Sequence, residues 1–202
     1  MELHVLTPET VNQQLPLLRQ FHRFRHKIFV ETLKRTDLHT VRKFEYDIWD
    51  TPLFQPVRFL LTKDGDAIGA ARMISSEHLT MFEAKYDEFL FKPHEKRADL
   101  WEIQRLGVRL DMHPRETERA ILELLIGIHE WSNQNGVKDV MLMTFTGIAT
   151  KRLEDMVPIG APKMHMGAEY IALQCELDPA ALQTQRERRD ALTPRIHGNV
   201  AA

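Results

Sequence analysis

Hydrophobic and polar positions along the chain follow two periods, and the places where one gives way to the other mark the elements. The clearest case is "VRFLLTKDGDAIGAARMI", Val57 to Ile74. Two strand-like apolar runs there flank Asp64–Gly65, a favoured hairpin turn. Upstream, Glu2–Leu6 reads as a strand leading into a helix, with Thr7 as N-cap and Pro8 at the first helical position. Leu15, Leu18, Phe21, Phe24, Ile28 and Leu33 then recur near helical spacing and predict a long amphipathic segment.

Downstream, "TMFEAKYDEFLF" reads as a short helix and "LWEIQRLGVRL" as a strand. "RETERAILELLIGIHEWSNQNG" predicts a long helix ended at Asn135–Gly136. "VKDVMLMTF" reads as a buried strand, "IATKRLEDMV" as a helix and "AEYIALQCEL" as a final strand. The order is strand, helical segment, hairpin, strand, helix, strand, helix, strand. That alternation predicts an α/β fold, a mixed sheet flanked by helices in three α-β-α layers. Leu100 to Phe145 would form a right-handed strand–helix–strand crossover.

At 202 residues the chain suits one domain, here placed at 1–178, with a polar C-terminal tail at 179–202 read as a frayed helix and a mobile end. A net charge of −2 lacks the basic excess of many nucleic-acid binders, so no nucleic-acid partner is expected. The N-terminal residues lack the basic and apolar regions of a signal peptide, and no apolar run is long enough for a membrane span. The single cysteine, Cys175, excludes an internal disulfide and fits a reducing cytoplasm.

Against this ordinary background, "FEYDIWDTP" is unusual. It crowds Glu45, Asp47 and Asp50 among Tyr46, Ile48 and Trp49. A solvated turn needs the charges but not the rings; a core strand needs the rings but not the charges. A site for a compact cation can use both. Other candidates have plainer readings. His22 and His26 have metal-ligand spacing but no third ligand, so no metal is expected. Met164-His165-Met166 reads as a mobile pocket edge, and Cys175 as an inert core residue. The segment up to Lys43 carries eight Lys/Arg against four Asp/Glu. It reads as a solvated helix face, or as a docking surface for an acidic carrier protein.

The element order, with a hairpin before the strand–helix unit, resembles the GNAT acyltransferase fold. Thr117, Glu118, Arg119 and Ala120 stand where a GNAT glycine loop would cradle coenzyme A. Three motifs resemble instead the acyl-homoserine-lactone synthase (autoinducer synthase) family, which shares a GNAT-like fold. They are Arg25-x-x-x-Phe29, Glu45-x-Asp47-x-Trp49-Asp50, and Arg72 after the hairpin glycine joined with Trp101-Glu102-x-x-Arg105. Arg35 departs from that pattern, standing where members carry a tryptophan.

The resemblance implies an enzyme that acylates and then lactonises S-adenosylmethionine, releasing methylthioadenosine and a quorum-sensing signal. The acyl thioester would come from acyl-carrier protein or acyl-CoA. S-adenosylmethionine would be a consumed substrate, and no other cofactor is implied. Arg25, Phe29, Asp47, Trp49, Asp50 and Arg72 would bind it, and Glu102 and Arg105 would be the catalytic pair. Met141, Met143, Thr144, Phe145 and Thr146 would line the acyl pocket, with Leu79, Met81 and Phe82 as further candidates. In a regular strand Glu102 and Arg105 face opposite ways, so a shared cleft requires a bulge between Ile103 and Gly107. Two other functions fit the same fold: a GNAT-like N-acyltransferase for another small amine, and a catalytically silent binding protein.

Overall fold

The computed structural model describes residues 1–147 and 156–192. Its centre is a sheet of eight strands: β1 (Glu2–Leu6), β4 (Val57–Lys63), β5 (Asp66–Ser75), β6 (Leu100–Val108), β7 (Asp139–Phe145), β8 (Val157–Pro158), β9 (Lys163–His165) and β10 (Ala168–Glu176). The spatial order is β1-β4-β5-β6-β7-β10-β8, with β9 also on β10. β6 and β7 run parallel, and the other pairings are antiparallel. A separate two-stranded ribbon joins β2 (Thr40–Val41) to β3 (Phe44–Glu45).

Four described helices cover the sheet: α1 (Leu15–Arg25), α2 (Met81–Lys85), α3 (Pro114–Gln134) and α4 (Pro179–Leu192). Strand alternation explains why both faces need cover. Leu60 and Ala70 pack with Phe21, Phe24 and Ile28 under α1. Their neighbours Phe59, Leu61 and Ala71 turn the other way, against Leu124 and Ile128 of α3. The expected three layers are therefore present. The hairpin turn is also as expected: Asp64 (φ 53°) and Gly65 (φ 84°) both adopt the left-handed backbone that a two-residue turn needs.

The helical entry differs from expectation. Thr7 and Pro8 do not start a helix. The Thr7 carbonyl closes a turn onto the amides of Thr10 and Val11, and α1 begins at Leu15 with Pro16 in its first turn. The intervening Asn12, Gln13 and Gln14 supply no apolar face to hold an earlier start. Past Arg25 the helix continues as wider π turns over His26–Thr32, where the Leu33 amide reaches back to the Ile28 carbonyl at 2.9 Å. At the C-terminal end α4 does not stand off as a frayed helix. Leu182 is buried with Leu122 and Ile126 of α3, and Arg186 pairs with Glu130 at 2.6 Å. The helix expected at Ile148–Val157 falls outside the described residues except at its end, where Val157 begins β8; the tail beyond Leu192 lies wholly outside them. Among the described residues no helix is long and apolar enough to cross a membrane.

Candidate active site

The acidic stretch folds so that its three carboxylates share one side. Glu45 ends β3 fully buried. Asp47 caps the single turn Ile48–Asp50: its carboxylate accepts from the Trp49 amide at 3.1 Å, and Asp50 accepts in return from the Asp47 amide at 3.0 Å. This reciprocal cap turns the acids inward and leaves Tyr46 and Ile48 exposed. Trp49 goes the other way. It is buried against Phe54 and donates its ring N–H to the Leu79 carbonyl at 2.7 Å.

Four guanidiniums from α1, β4, β5 and β6 meet those three carboxylates. Arg25 donates through Nε to Glu45 and through Nη1 to both oxygens of Asp50, at 2.8 and 2.9 Å. Arg72 grips Asp47 in a fork at 2.6 and 3.0 Å, sits 2.9 Å from Asp50, and donates through Nε and Nη2 to Gln104. Arg58 donates to the Asp50 carbonyl at 2.6 Å and lies 3.6 Å from its carboxylate. Arg105 reaches Glu45 at 3.3 Å and Asp47 at 3.1 Å, and its guanidinium stands 5.8 Å from the centre of the Phe29 ring.

The charges set one another. Burial would raise the Asp50 carboxyl, but Arg72 and Arg25 outweigh it and hold Asp50 well below the usual carboxylate range. Asp47 is lowered for the same reason, burial being overcome chiefly by Arg72. Arg58 shows the opposing limit: burial pushes it down to about 10 despite Asp50.

The bulge that a shared cleft requires lies within β6. Arg72 pairs with Gln104 across the strands and Ala70 with Gly107, so two residues of β6 stand opposite one of β5. Arg105 occupies this break with φ 56°, and its side chain reaches Asp47 on the acidic turn, which Gln104 meets through Arg72. Trp101, the ring that opens that motif, faces α3 instead and meets Trp131 edge-on at 5.2 Å.

Glu102 is buried at 4% exposure. Its carboxylate accepts from the Met81 amide at 2.8 Å and from the Gln104 side chain at 2.5 Å. Burial pushes its carboxyl up to about 7, against the pull of Gln104, the Met81 amide and Arg72. A carboxyl balanced near neutrality beside a fixed cluster of charge is suited to taking a proton at physiological pH.

The acyl-pocket candidates divide by strand alternation. Met141, Met143 and Phe145 share one face of β7 with Trp49, Met81, Phe82, Tyr86 and Tyr170, and Phe145 lies 4.5 Å from the Tyr170 ring. Thr144 has the opposite parity, on the side of Val140 and Leu142 under α3. Thr146 lies past the end of β7, with its hydroxyl 3.3 Å from the Glu169 carbonyl. Leu79 is largely exposed and takes part through its carbonyl. Arg35 is held in a fork by Asp37, at 2.8 and 2.7 Å, and reaches the Tyr86 hydroxyl at 3.4 Å. His22 sets a ring nitrogen 2.9 Å from the Glu45 carbonyl, which gives it a structural use.

Sequence reasoning assigned no role to Arg58 or Gln104, and none to Glu45 beyond its place in the motif. A signal was present. Arg58 lies between Val57 and Phe59, and Gln104 follows Ile103, in strands whose apolar runs read as buried, where a polar group requires a partner.

Comparison with known proteins bears on the fold and the family. No curated protein matches the sequence. Among solved structures, BjaI, described as a CoA-dependent acyl-homoserine lactone synthase with SAM and isopentyl-CoA, superposes with a TM-score of 0.83 at 20% identity, covering 93% of this chain and 89% of that one. The AHL synthase LasI gives 0.77 at 20% identity over 88% and 90% of the two chains. ElaA of Escherichia coli gives 0.57 at 14% identity over 87% and 99%. At these identities the likeness establishes the fold. The family model for autoinducer synthases matches residues 10–178, a span that holds every residue of the charge cluster, and the chain belongs to that family.

Proposed function

We propose that this autoinducer synthase makes an acyl-homoserine lactone from S-adenosylmethionine and an acyl thioester. One observation carries the reading: Arg25, Asp47, Asp50, Arg72, Glu102 and Arg105, from four separate segments, converge at the bulge of β6. A structural ion-pair network alone would not need the bulge, which removes ladder hydrogen bonds in the middle of the sheet.

The roles follow from what each group has left to offer. Every nitrogen of Arg72 is engaged within the protein, so Arg72 braces Asp47 and Asp50. Arg105 keeps a corner: among the described residues its Nη1 meets only the Met81 sulfur, at 3.7 Å, which leaves it suited to the methionyl carboxylate. Phe29, beside the Arg105 guanidinium, supplies a ring face near the sulfonium, and the acids orient the cationic substrate; Trp49, turned away from the acids, anchors the turn instead. Glu102 accepts a proton from the methionyl ammonium. The freed amine attacks the thioester carbonyl, an N–C bond forms, and the thiol leaves. The methionyl carboxylate oxygen then attacks the carbon attached to sulfur, closing the ring and expelling methylthioadenosine. A backbone amide near Leu106 to Val108, at and beyond the bulge, would steady the oxyanion, as the family fold implies. Met141, Met143 and Phe145 receive the acyl chain. S-adenosylmethionine is consumed as a substrate, no resident cofactor is required, and the acyl donor is carrier protein or coenzyme A. Both substrates are products of cytoplasmic metabolism, which places the enzyme there.

The test is to incubate the protein with S-adenosylmethionine and matched acyl-CoA and acyl-carrier donors, reading methylthioadenosine and the lactone by mass spectrometry. Stoichiometric release of the two supports the reading. Absence of both with every donor would overturn it, and undiminished synthesis by Glu102→Ala would remove the role given to Glu102.

A further inference from the structure

Arg72 and Gln104 are direct cross-strand partners on β5 and β6, and Glu102 lies two residues before Gln104 on the same face. The side-chain amide of Gln104 therefore stands between the braced acids and the buried Glu102. Its orientation is forced. A guanidinium can only donate, and Arg72 presents Nε at 2.9 Å and Nη2 at 2.5 Å, so the amide must turn its oxygen to Arg72. The amide nitrogen then points at Glu102, at 2.5 Å. Gln104 is 4% exposed and Arg72 fully buried, so water does not compete for either end.

The other neighbours of Glu102 bring little to replace that contact. From α2 come the backbone amides of Met81 and Phe82, and from β5 the Arg72 charge. The residues paired beside it, Ile74 on β5 and Met141 on β7, are apolar. On its own strand Arg105 is turned to Glu45 and Asp47. Among the described residues, the Gln104 amide is thus the side-chain donor bonded to the carboxylate, and it links Glu102 to the substrate-binding acids.

We infer that Gln104 is a positioning residue, which transmits the fixed Arg72–Asp47–Asp50 cluster to Glu102 by holding the carboxylate with an amide N–H of enforced direction. The inference rests on the proposed role of Glu102 but makes a claim about that carboxyl which does not depend on turnover. Gln104→Met keeps length and removes both amide groups. The carboxylate loses a charge-assisted bond and the protonated acid only a weaker neutral one, so Glu102 holds its proton to higher pH, by about one pH unit. Of the two Arg72 nitrogens that lose Gln104, Nη2 keeps Asp47 at 3.0 Å.

The experiment has two arms. In the first, Glu102 ionisation is titrated by NMR in protein carrying carboxyl-labelled glutamate, the resonance being assigned by its loss in Glu102→Gln. A Gln104→Met midpoint about one unit above wild type is expected, with thermal melts confirming that both proteins are folded over the range. In the second, kcat/KM for methylthioadenosine release is followed against pH. Gln104→Met is expected to fall about tenfold on the acid limb and to recover towards wild type on the alkaline plateau. Unmoved midpoints in both arms, or a uniform loss of rate at every pH, overturn the inference. A raised Gln104→Met midpoint by NMR, together with a wild-type protein that releases no methylthioadenosine, would sustain the inference and defeat the proposed function. If Gln104→Met fails to fold, Gln104→Asn, which keeps the amide on a shorter arm, is read in the same two arms with the same criteria.

Discussion

Replacing Glu45 by glutamine tests whether the buried charges are mutually required. The side chain is fully buried, with one oxygen serving Arg25 Nε and the other facing Arg105 Nε and Nη2 at 3.3 Å each. Glutamine has nearly the same shape but only one acceptor, and its NH2 would turn towards one of the two guanidiniums, donor against donor. Removing one partner of a buried pair costs about 3–5 kcal/mol, because the charge left behind stays desolvated. Two contacts soften this: the amide oxygen still serves one arginine, and Arg105 keeps Asp47 at 3.1 Å. A loss of about 2–4 kcal/mol remains, a large share of the roughly 5–15 kcal/mol of a typical domain. Urea unfolding at pH 7 should show it as a lowered midpoint with an unchanged slope, since the surface exposed on unfolding is the same. Glu77→Gln, at an exposed position, should stay within about 0.5 kcal/mol of wild type. A Glu45→Gln loss below about 1 kcal/mol would refute the reasoning, for it would mean the guanidiniums are hydrated.

Other substitutions separate charge, proton transfer and shape. Wild-type kcat/KM should rise with pH through about 7 as Glu102 ionises, and Glu102→Gln should abolish that limb with a loss of about 100- to 10,000-fold. The same carboxyl has its folded value raised above its unfolded one, so its stabilising effect is full below about 4.5 and lost as pH rises through about 7. Glu102→Gln should accordingly be more stable than wild type above pH 7, by at most about 3 kcal/mol, and not at pH 4; equal stability at both ends in chemical denaturation would contradict this. Arg72→Lys should lose at least about 2 kcal/mol and most turnover, since one ammonium cannot bridge Asp47, Asp50 and Gln104 together; near-normal kinetics would disprove the bracing role. Gly160→Ala would drive a Cβ into the Phe89 carbonyl and displace the segment that Ile159 pins to Phe91 and Ala172; a cost of about 1–3 kcal/mol in Tm-derived stability is expected, and none if that segment packs elsewhere.

How much of this was legible beforehand depended on the range of the forces involved. The hairpin at Asp64–Gly65, the 21-residue helix from Pro114 and the buried strands were written in local periods and turn residues, which each act over a few neighbours. The motif residues could be gathered by their resemblance to a family, and the need for a bulge followed from the two-residue period of a strand. The start of α1 was misplaced because Thr7 and Pro8 form as good a turn as a cap, and only packing under Phe21 and Phe24 decides where the helix gains by continuing.

What the sequence by itself determined, then, was which elements form, the layered α/β plan and the stock of acids and arginines available to a site. Tertiary structure decided the partnerships: that Glu45 is the buried anchor of Arg25 and Arg105, that Arg72 is a brace, that Thr144 faces away from the acyl side, and that Gln104 joins two halves of the site. Those depend on register and on a single left-handed residue at Arg105, and on charges brought together from positions up to 60 residues apart. Periodicity carries no information over such separations, because the energy that selects a buried ion pair exists only once water has been excluded from both partners.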